Sequence, residues 1–171
     1  MTVKTITTHP NQGLFTKLDD IPVKDIKSDT FGQIGSSMLE ILRERGGIGL
    51  SANQVGLPFR MCVVEVDTNN PMMLINPRIT KMSDKMVKSQ EGCLSLPGAT
   101  GTISRHKDVT VEYETVEGET VTEEATGLLS CCLQHEIDHL NGILMINRMS
   151  EVHKSRFLKN MQRYSRNGRI R

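Results

Sequence analysis

The sequence predicts an α+β fold, a single compact domain over residues 1–171, in which antiparallel or mixed β-sheets surround a central helix. Two observations indicate this class: apolar residues recur at helical spacing in separate segments, and extended runs of branched or alternating apolar residues lie between them. A chain of 171 residues with 37% hydrophobic composition can bury one core, but it is short for two. We therefore expect an N-terminal core helix, a central helix with the sequence His-Glu-x-x-His, and a C-terminal helix.

The first predicted helix lies near the N-terminus. Its apolar residues recur at helical spacing: Phe31, Ile34, Met38, Leu39, Ile41 and Leu42. Ser28 and Asp29 are candidates to cap its start, and Gly46 and Gly47 can end it. This helix should pack its apolar face on the core.

Strands are predicted in the middle of the chain. Residues 60–67 and 72–80 are rich in branched and apolar residues, and Cys62 in the first run is interpreted as a buried structural cysteine. Residues 108–125 alternate apolar and polar side chains and turn near Gly118, which predicts a half-exposed hairpin.

Two further helices are predicted beyond the hairpin. Helical spacing runs from about Thr126 to Leu140, where Gly142 can end the helix, and a last helix covers about residues 150–167 after Ser150. One face of this last helix is basic, with Lys154, Arg156, Lys159, Arg163, Arg166, Arg169 and Arg171. That face is either simply solvated or a docking surface for RNA or another polyanion.

Composition excludes some classes of protein. A net charge of +1 gives no overall bias toward nucleic acid or anionic membranes, and no segment approaches the length of a membrane span. The four cysteines come without a secretory signal, so we expect free thiols in a reducing compartment, the cytoplasm. No residue indicates a stable protein partner.

The chemistry of the chain centres on His135, Glu136 and His139. On a helix, residues four apart share one face, so both histidines can offer a nitrogen to one cation while Glu136 stands beside them. In metal-dependent hydrolases with this motif the glutamate takes a proton from water. The alternative is a surface helix with two solvated histidines, and a third ligand has to decide between them.

Several candidates for that third ligand can be tested against the sequence. Met145 stands where metzincins have their third histidine, and Glu151 is too near for the separate helix that supplies the glutamate of thermolysin-like enzymes. Cys131 lies about 12 Å from His139 along the helix axis, too far to share a metal with it. Cys131 and Cys132 are instead expected to line the wall beside the metal.

Cys93 is the remaining candidate, although alone it is a weak signal. It follows Gly92, which allows close approach of backbone, and it precedes a short stretch to Pro97 that is expected to be extended, as for a ligand at a strand edge.

Three segments together resemble the peptide deformylase family. They are GIGLSANQ (residues 47–54), EGCLSLP (91–97) and QHEIDHLNG (134–142), in the order and spacing of the family's motifs. Ser51 departs from the alanine usual in the family, which affects packing beneath the loop. A nucleotide-binding loop at Gly47 and Gly49 is disfavoured, because a third glycine and a preceding strand are missing.

The resemblance implies an enzyme that hydrolyses the N-formyl group from the initiator N-formylmethionine of newly made polypeptides and releases formate. It implies Cys93, His135 and His139 as metal ligands, with Fe²⁺ as the ion and Zn²⁺ or another divalent metal as the alternative. Glu136 would act as general base and acid. The Gln54 side chain and the Leu94 backbone N–H would stabilise the developing oxyanion.

The resemblance also implies a substrate site for the nascent peptide. Backbone at Ile48, Gly49 and Gly92 would pair with the peptide as with a strand. Ile48, Leu128, Cys131 and the face of His135 would line the methionine pocket.

Two rival functions share parts of this pattern. One is a ribosome-binding module with a structural metal, in which the basic C-terminal helix contacts RNA and Glu136 has no task. The other is a metalloprotease for internal peptide bonds, which shares the chemistry but not the first two motifs. Ribosome docking by the C-terminal helix is also compatible with the enzyme.

Overall fold

In the computed structural model, which describes residues 5–26 and 29–166, two helices precede a run of seven strands and two more helices follow it. The helices are α1 (Val23–Ile26), α2 (Asp29–Glu44), α3 (Gly127–Leu140) and α4 (Glu151–Arg166). The strands are β1 (Gly49–Ser51), β2 (Met61–Val64), β3 (Met72–Met82), β4 (Met86–Gly92), β5 (Thr100–His106), β6 (Asp108–Glu114) and β7 (Thr120–Thr126). Short 3-10 turns cover Gln12–Phe15, Ala52–Val55 and Met145–Arg148.

The strands form two antiparallel sheets. Five strands lie in the order β1-β2-β3-β6-β7, and β4 pairs with β5 in a separate hairpin. The predicted hairpin of β6 and β7 is present, with Val109 and Val111 buried on one face. Its alternation follows from the period of two along a strand, which turns every second side chain toward the core.

Helix α3 lies at the centre of the fold. Every residue from Ser130 to Leu140 is buried, and the helix contacts strands of both sheets. Its apolar side chains Leu133, Ile137 and Leu140 pack with Cys62 of β2 and other strand residues. At Gly142, which follows the helix with φ of 73°, a Cβ would lie 2.5 Å from the Phe15 carbonyl oxygen, so glycine is required. The predicted central helix and α+β class are thus confirmed.

The two outer helices cover different parts of the molecule. Helix α2 buries its apolar face against β1 and β2, in the cluster that includes Met38, Leu42 and Met61. Helix α4 packs through Phe157 on a cluster with Leu96 and Ile103 of the region around the β4–β5 hairpin. The hairpin is therefore held between α4 and the rest of the fold.

Some local predictions differ from the structure. Strands β1, β4 and β5 were not predicted, because β1 is only three residues long and β4 and β5 carry mainly polar side chains on both faces. The stretch from Leu94 to Pro97, predicted to be extended, is a turn in which the Leu96 N–H donates to the Cys93 carbonyl at 2.9 Å. The prediction was wrong because it took proline as the end of a strand rather than as part of a turn.

Some predicted features lie outside the described residues. They are the cap at Ser28, the end of the last helix at Gly168, and the basic residues Arg169 and Arg171. Among the residues that the structure does describe, no helix has the length and apolar character needed to cross a bilayer.

Candidate active site

Cys93, His135 and His139 converge on one point. Their donor atoms lie within 4.8 Å of one another, and His139 Nε2 is 3.2 Å from both Cys93 Sγ and His135 Nε2. The two histidines are four residues apart on α3, while Cys93 directly follows β4. The site thus forms where the end of the hairpin meets the central helix.

The donor set fits a divalent cation. The Nε2 atoms of His135 and His139 face each other at 3.2 Å, so at most one proton can lie between them. The Cys93 sulfur is directed at the same position and offers a further lone pair. Burial and the neighbouring His135 lower the pKa of His139 well below its usual value, so its imidazole is neutral, the form that binds metals. If these three residues held a cation, a coordination position would remain open, as in catalytic sites.

Glu91 holds His135 from the side opposite the donor atom. Its Oε2 lies 2.9 Å from His135 Nδ1, which leaves Nε2 directed at the metal position. Arg105 donates two hydrogen bonds to the same carboxylate, at 2.8 and 2.9 Å, and also pairs with Asp138. Burial raises the pKa of Glu91, but the bonds from Arg105 and His135 outweigh it and lower this pKa to about 2.

This supporting network was not identified from the sequence. Glu91 stands two residues before Cys93 in the second motif, and that position was the available signal. Arg105 gives no signal of its own, because a lone arginine in a strand usually faces solvent. It is 2% exposed here.

Glu136 is enclosed beside the three donors. Burial raises its pKa to about 7, against the opposing effects of His135 and of the Ser51 side chain. A Cβ on Gly49 would lie 2.5 Å from Glu136 Oε1 and 2.8 Å from Cys132 Sγ. The absence of a side chain at Gly49 therefore makes room for the glutamate, a role that the sequence did not reveal.

Gln54 lies close to the donor cluster. Its Oε1 accepts hydrogen bonds from the backbone N–H and the hydroxyl of Ser51, both at 2.9 Å. Its Nε2 donates to Ser95 Oγ at 3.1 Å and lies 3.5 Å from Cys93 Sγ. The sequence Ser51-Ala52-Asn53-Gln54 matches the S-x-x-Q capping pattern, a signal that sequence reasoning missed.

A groove of about 840 Å³ opens over these residues. The five residues predicted to bind substrate line it: Ile48, Gly49, Gly92, Leu128 and Cys131. The predicted catalytic residues Gln54, Leu94 and Glu136 line it as well. Ile48 and Leu128 remain 40% and 58% exposed, so apolar side chains stand at its mouth.

Backbone on two sides of this groove belongs to strand edges. β1 is an outer strand of the five-stranded sheet, and β4 belongs to the separate hairpin and ends at Gly92. An extended peptide between them could therefore pair with either edge.

The basic helix α4 also borders the groove, through Tyr164. A Cβ on Gly98 would lie 2.1 Å from the tyrosine ring, so the ring packs directly on the Gly98 backbone. Both residues line the groove. The sequence indicated the charge of this helix, but not that it reaches the site.

Comparison with known proteins gives consistent matches. The profile described as "Polypeptide deformylase" matches residues 3–155. The peptide deformylase of Bartonella bacilliformis is 39% identical over 159 residues, which cover 87% of each chain. A peptide deformylase from Legionella pneumophila has a similar structure, with a TM-score of 0.90 and 27% identity over 99% of both chains. One from Synechococcus elongatus, in complex with actinonin, gives a TM-score of 0.86 and 30% identity over 95% of this chain and 87% of its own.

Proposed function

We propose the following catalytic roles from the premise that this chain belongs to the peptide deformylase family. It is a metal-dependent hydrolase that removes the N-formyl group from nascent peptides. The observation that carries the proposal is the convergence of Cys93, His135 and His139 beside a buried carboxylate, at the floor of an open groove. We also propose that residues 1–171 act together as one catalytic unit.

Cys93, His135 and His139 are proposed to hold the metal. A cation bound there lowers the pKa of water and polarises a carbonyl oxygen. We propose Fe²⁺ as the native ion, with Zn²⁺ as the alternative that this ligand set also suits. The hydrogen bond from His135 to Glu91 supports the proposal, because it fixes the ring with Nε2 facing the site.

Glu136 is proposed to move the protons of the reaction. A carboxylate with a pKa of about 7 accepts a proton from the attacking water near neutral pH. It then returns the proton to the departing amine, which cannot leave as an amide anion. Its enclosure beneath Gly49 supports this role, since it keeps the carboxylate in one position.

Gln54 and Leu94 are proposed to stabilise charge on the carbonyl oxygen as the formyl carbon becomes tetrahedral. Hydrogen bonds from Ser51 to Gln54 Oε1 leave the Nε2 end directed toward Cys93. The Leu94 backbone follows the ligand Cys93 directly and lies in the turn. Loss of one such donor typically costs about a hundredfold or more in rate.

The groove is proposed to bind the formylmethionyl peptide in an extended form. Backbone at Ile48, Gly49 and Gly92 would pair with it, and the methionine side chain would lie against Leu128 and Cys131. Exposure of Ile48 and Leu128 supports this, because a bound peptide would remove apolar surface from water.

We further propose that the protein works in the cytoplasm, where its nascent substrates are made. The basic residues Lys154, Arg156, Lys159 and Arg163 of α4 support docking to ribosomal RNA as a second part of this proposal. A variant of the protein in which these four basic residues of α4 are replaced should keep its activity on short peptides and bind ribosomes more weakly at low salt. Unchanged ribosome binding would contradict docking through α4.

The test of the enzyme is formate release from a short N-formylmethionyl peptide by protein purified without oxygen and loaded with Fe²⁺. We expect turnover that falls by about 10²-fold to 10⁴-fold in Glu136→Gln with metal content unchanged. An N-acetylated peptide and a blocked internal peptide serve as matched controls. Cleavage of the internal peptide would instead identify a metalloprotease.

The alternative of a ribosome-binding module with a structural metal is not favoured. Structural zinc sites normally have four protein ligands, whereas three donors converge here among the described residues. A structural site also has no use for Glu136. Equal function in wild type and Glu136→Gln would restore that alternative.

A further inference from the structure

We propose that Ser51 and Asn53 are positioning residues, which hold the Gln54 carboxamide in one orientation and tie it to the end of α3 that carries His139. The inference rests on the proposed role of Gln54 at the carbonyl oxygen of the substrate. Neither residue was among the candidates that the sequence indicated.

The orientation of the Gln54 amide depends on Ser51. The backbone N–H and the hydroxyl of Ser51 both lie 2.9 Å from Gln54 Oε1. A flipped amide would set its NH₂ against the Ser51 N–H, two donors with no acceptor between them. The unflipped amide instead directs Nε2 toward Ser95 Oγ and Cys93 Sγ, and thus toward the metal position.

Asn53 connects this pair to the metal-binding helix. Its Oδ1 accepts from the Ser51 hydroxyl at 2.9 Å, and its Nδ2 donates to the His139 carbonyl oxygen at 2.7 Å. The single hydroxyl hydrogen of Ser51 therefore faces acceptors on Asn53 and Gln54, and the same hydroxyl also reaches Glu136, whose pKa it lowers. Because Ser51, Asn53 and Gln54 are all buried, water cannot easily replace these bonds.

A purely structural explanation is also available and makes a different prediction. Ser51 begins the 3-10 turn at Ala52–Val55, so its hydroxyl could serve only as a cap. Loss of a cap lowers stability, typically by about 1 kcal/mol, and has no selective effect on the chemical step. A positioning role lowers kcat with KM nearly unchanged, because the interaction matters at the transition state.

The experiment compares Ser51→Ala, Ser51→Thr, Asn53→Ala and the double variant Ser51→Ala/Asn53→Ala in the full chain. Ser36→Ala is the control, since that hydroxyl is exposed on α2 and donates to the Gly32 carbonyl of its own helix at 2.9 Å. Kinetics with a formylated peptide are measured on Fe²⁺-loaded protein, and Tm on every variant. The side-chain NH₂ resonances of Gln54 are followed by NMR in the metal-free protein.

We expect Ser51→Ala and Asn53→Ala each to lower kcat about fivefold, which is the effect of one buried hydrogen bond, with KM within about twofold. Ser51→Thr should retain kcat because it keeps the hydroxyl. The double variant should lose less than the product of the single losses, because the two residues act through one hydroxyl. The Gln54 NH₂ resonances should shift and exchange faster with water in Ser51→Ala.

Other outcomes would overturn the inference. A lower Tm with unchanged kcat and unchanged Gln54 resonances would mean that Ser51 acts only as a helix cap. If the loss of kcat in the double variant equals the product of the two single losses, Ser51 and Asn53 act independently. If wild type releases no formate, the proposed function fails by itself. The Gln54 resonances then still decide whether Ser51 orients the amide.

Discussion

Replacing Glu91 with glutamine tests the network behind the metal site. The change keeps the size of the side chain but removes the charge that compensates Arg105, which is 2% exposed. Removal of one partner from a buried ion pair costs roughly 3–5 kcal/mol. Asp138 remains as a second partner of Arg105, so we expect the lower end, about 3 kcal/mol. For a chain of this size that lowers Tm by roughly 6–12 °C.

The assay is calorimetric unfolding of metal-free protein, so that weaker metal binding cannot contribute to the change in Tm. Glu119→Gln is the matched control, because Glu119 is exposed in the turn between β6 and β7 and should change stability by less than about 0.5 kcal/mol. We expect metal affinity, measured by competition with a chelator, to fall by about 10-fold to 100-fold. A decrease in Tm below about 2 °C would refute the reasoning that the buried charge of Arg105 depends on Glu91.

Other predictions address the site and the fold separately. Gly49→Ala should push Glu136 away by about 1 Å and lower kcat about a hundredfold, and near-normal kcat would contradict the tight packing. Chelation should abolish formate release and added Fe²⁺ should restore it; activity that survives complete metal removal would contradict the metal site. The hydrogen bond from Arg43 lowers the pKa of Glu65 from its usual value of 4.5, so this interaction stabilises the fold only while Glu65 is ionised. Arg43→Gln should therefore reduce the free energy of unfolding in urea at neutral pH, but not at a pH well below the lowered pKa. An equal loss of stability at the two pH values would refute this.

Sequence patterns predicted the long elements of the fold well, and the reason is physical. Helix α2 buries one face, so its apolar spacing is constrained, and the β6–β7 hairpin has one buried side. Helix α3 is buried on all sides from Ser130 to Leu140 and was predicted from its helical spacing and the glycine that follows it. β4 and β5 were not predicted because their pairing depends on hydrogen bonds between backbone groups, which form with almost any side chain in the strand. Their polar composition left no period of two to detect.

Prediction of the site depended on the kind of residue involved. His135, Glu136 and His139 belong to a local helical motif, so their proximity follows from chain geometry. Cys93 joins them only through folding, and it was identified through the order and spacing of the three family motifs rather than through helical periodicity. Glu91, Arg105 and Asn53 act through contacts between segments far apart in sequence, and no local pattern encodes such contacts.

The three proposed ligands come from two elements that are far apart along the chain. About 42 residues separate Cys93, after β4, from His135 on α3, and a cation shared by them closes this loop as a covalent bridge would. By the chain-entropy treatment of cross-links, closing a loop of that length restricts the unfolded chain by roughly 4 kcal/mol. The ion proposed for catalysis would thus also act as a cross-link between the two elements, and this cross-link would persist in a reducing environment, where a disulfide would be reduced.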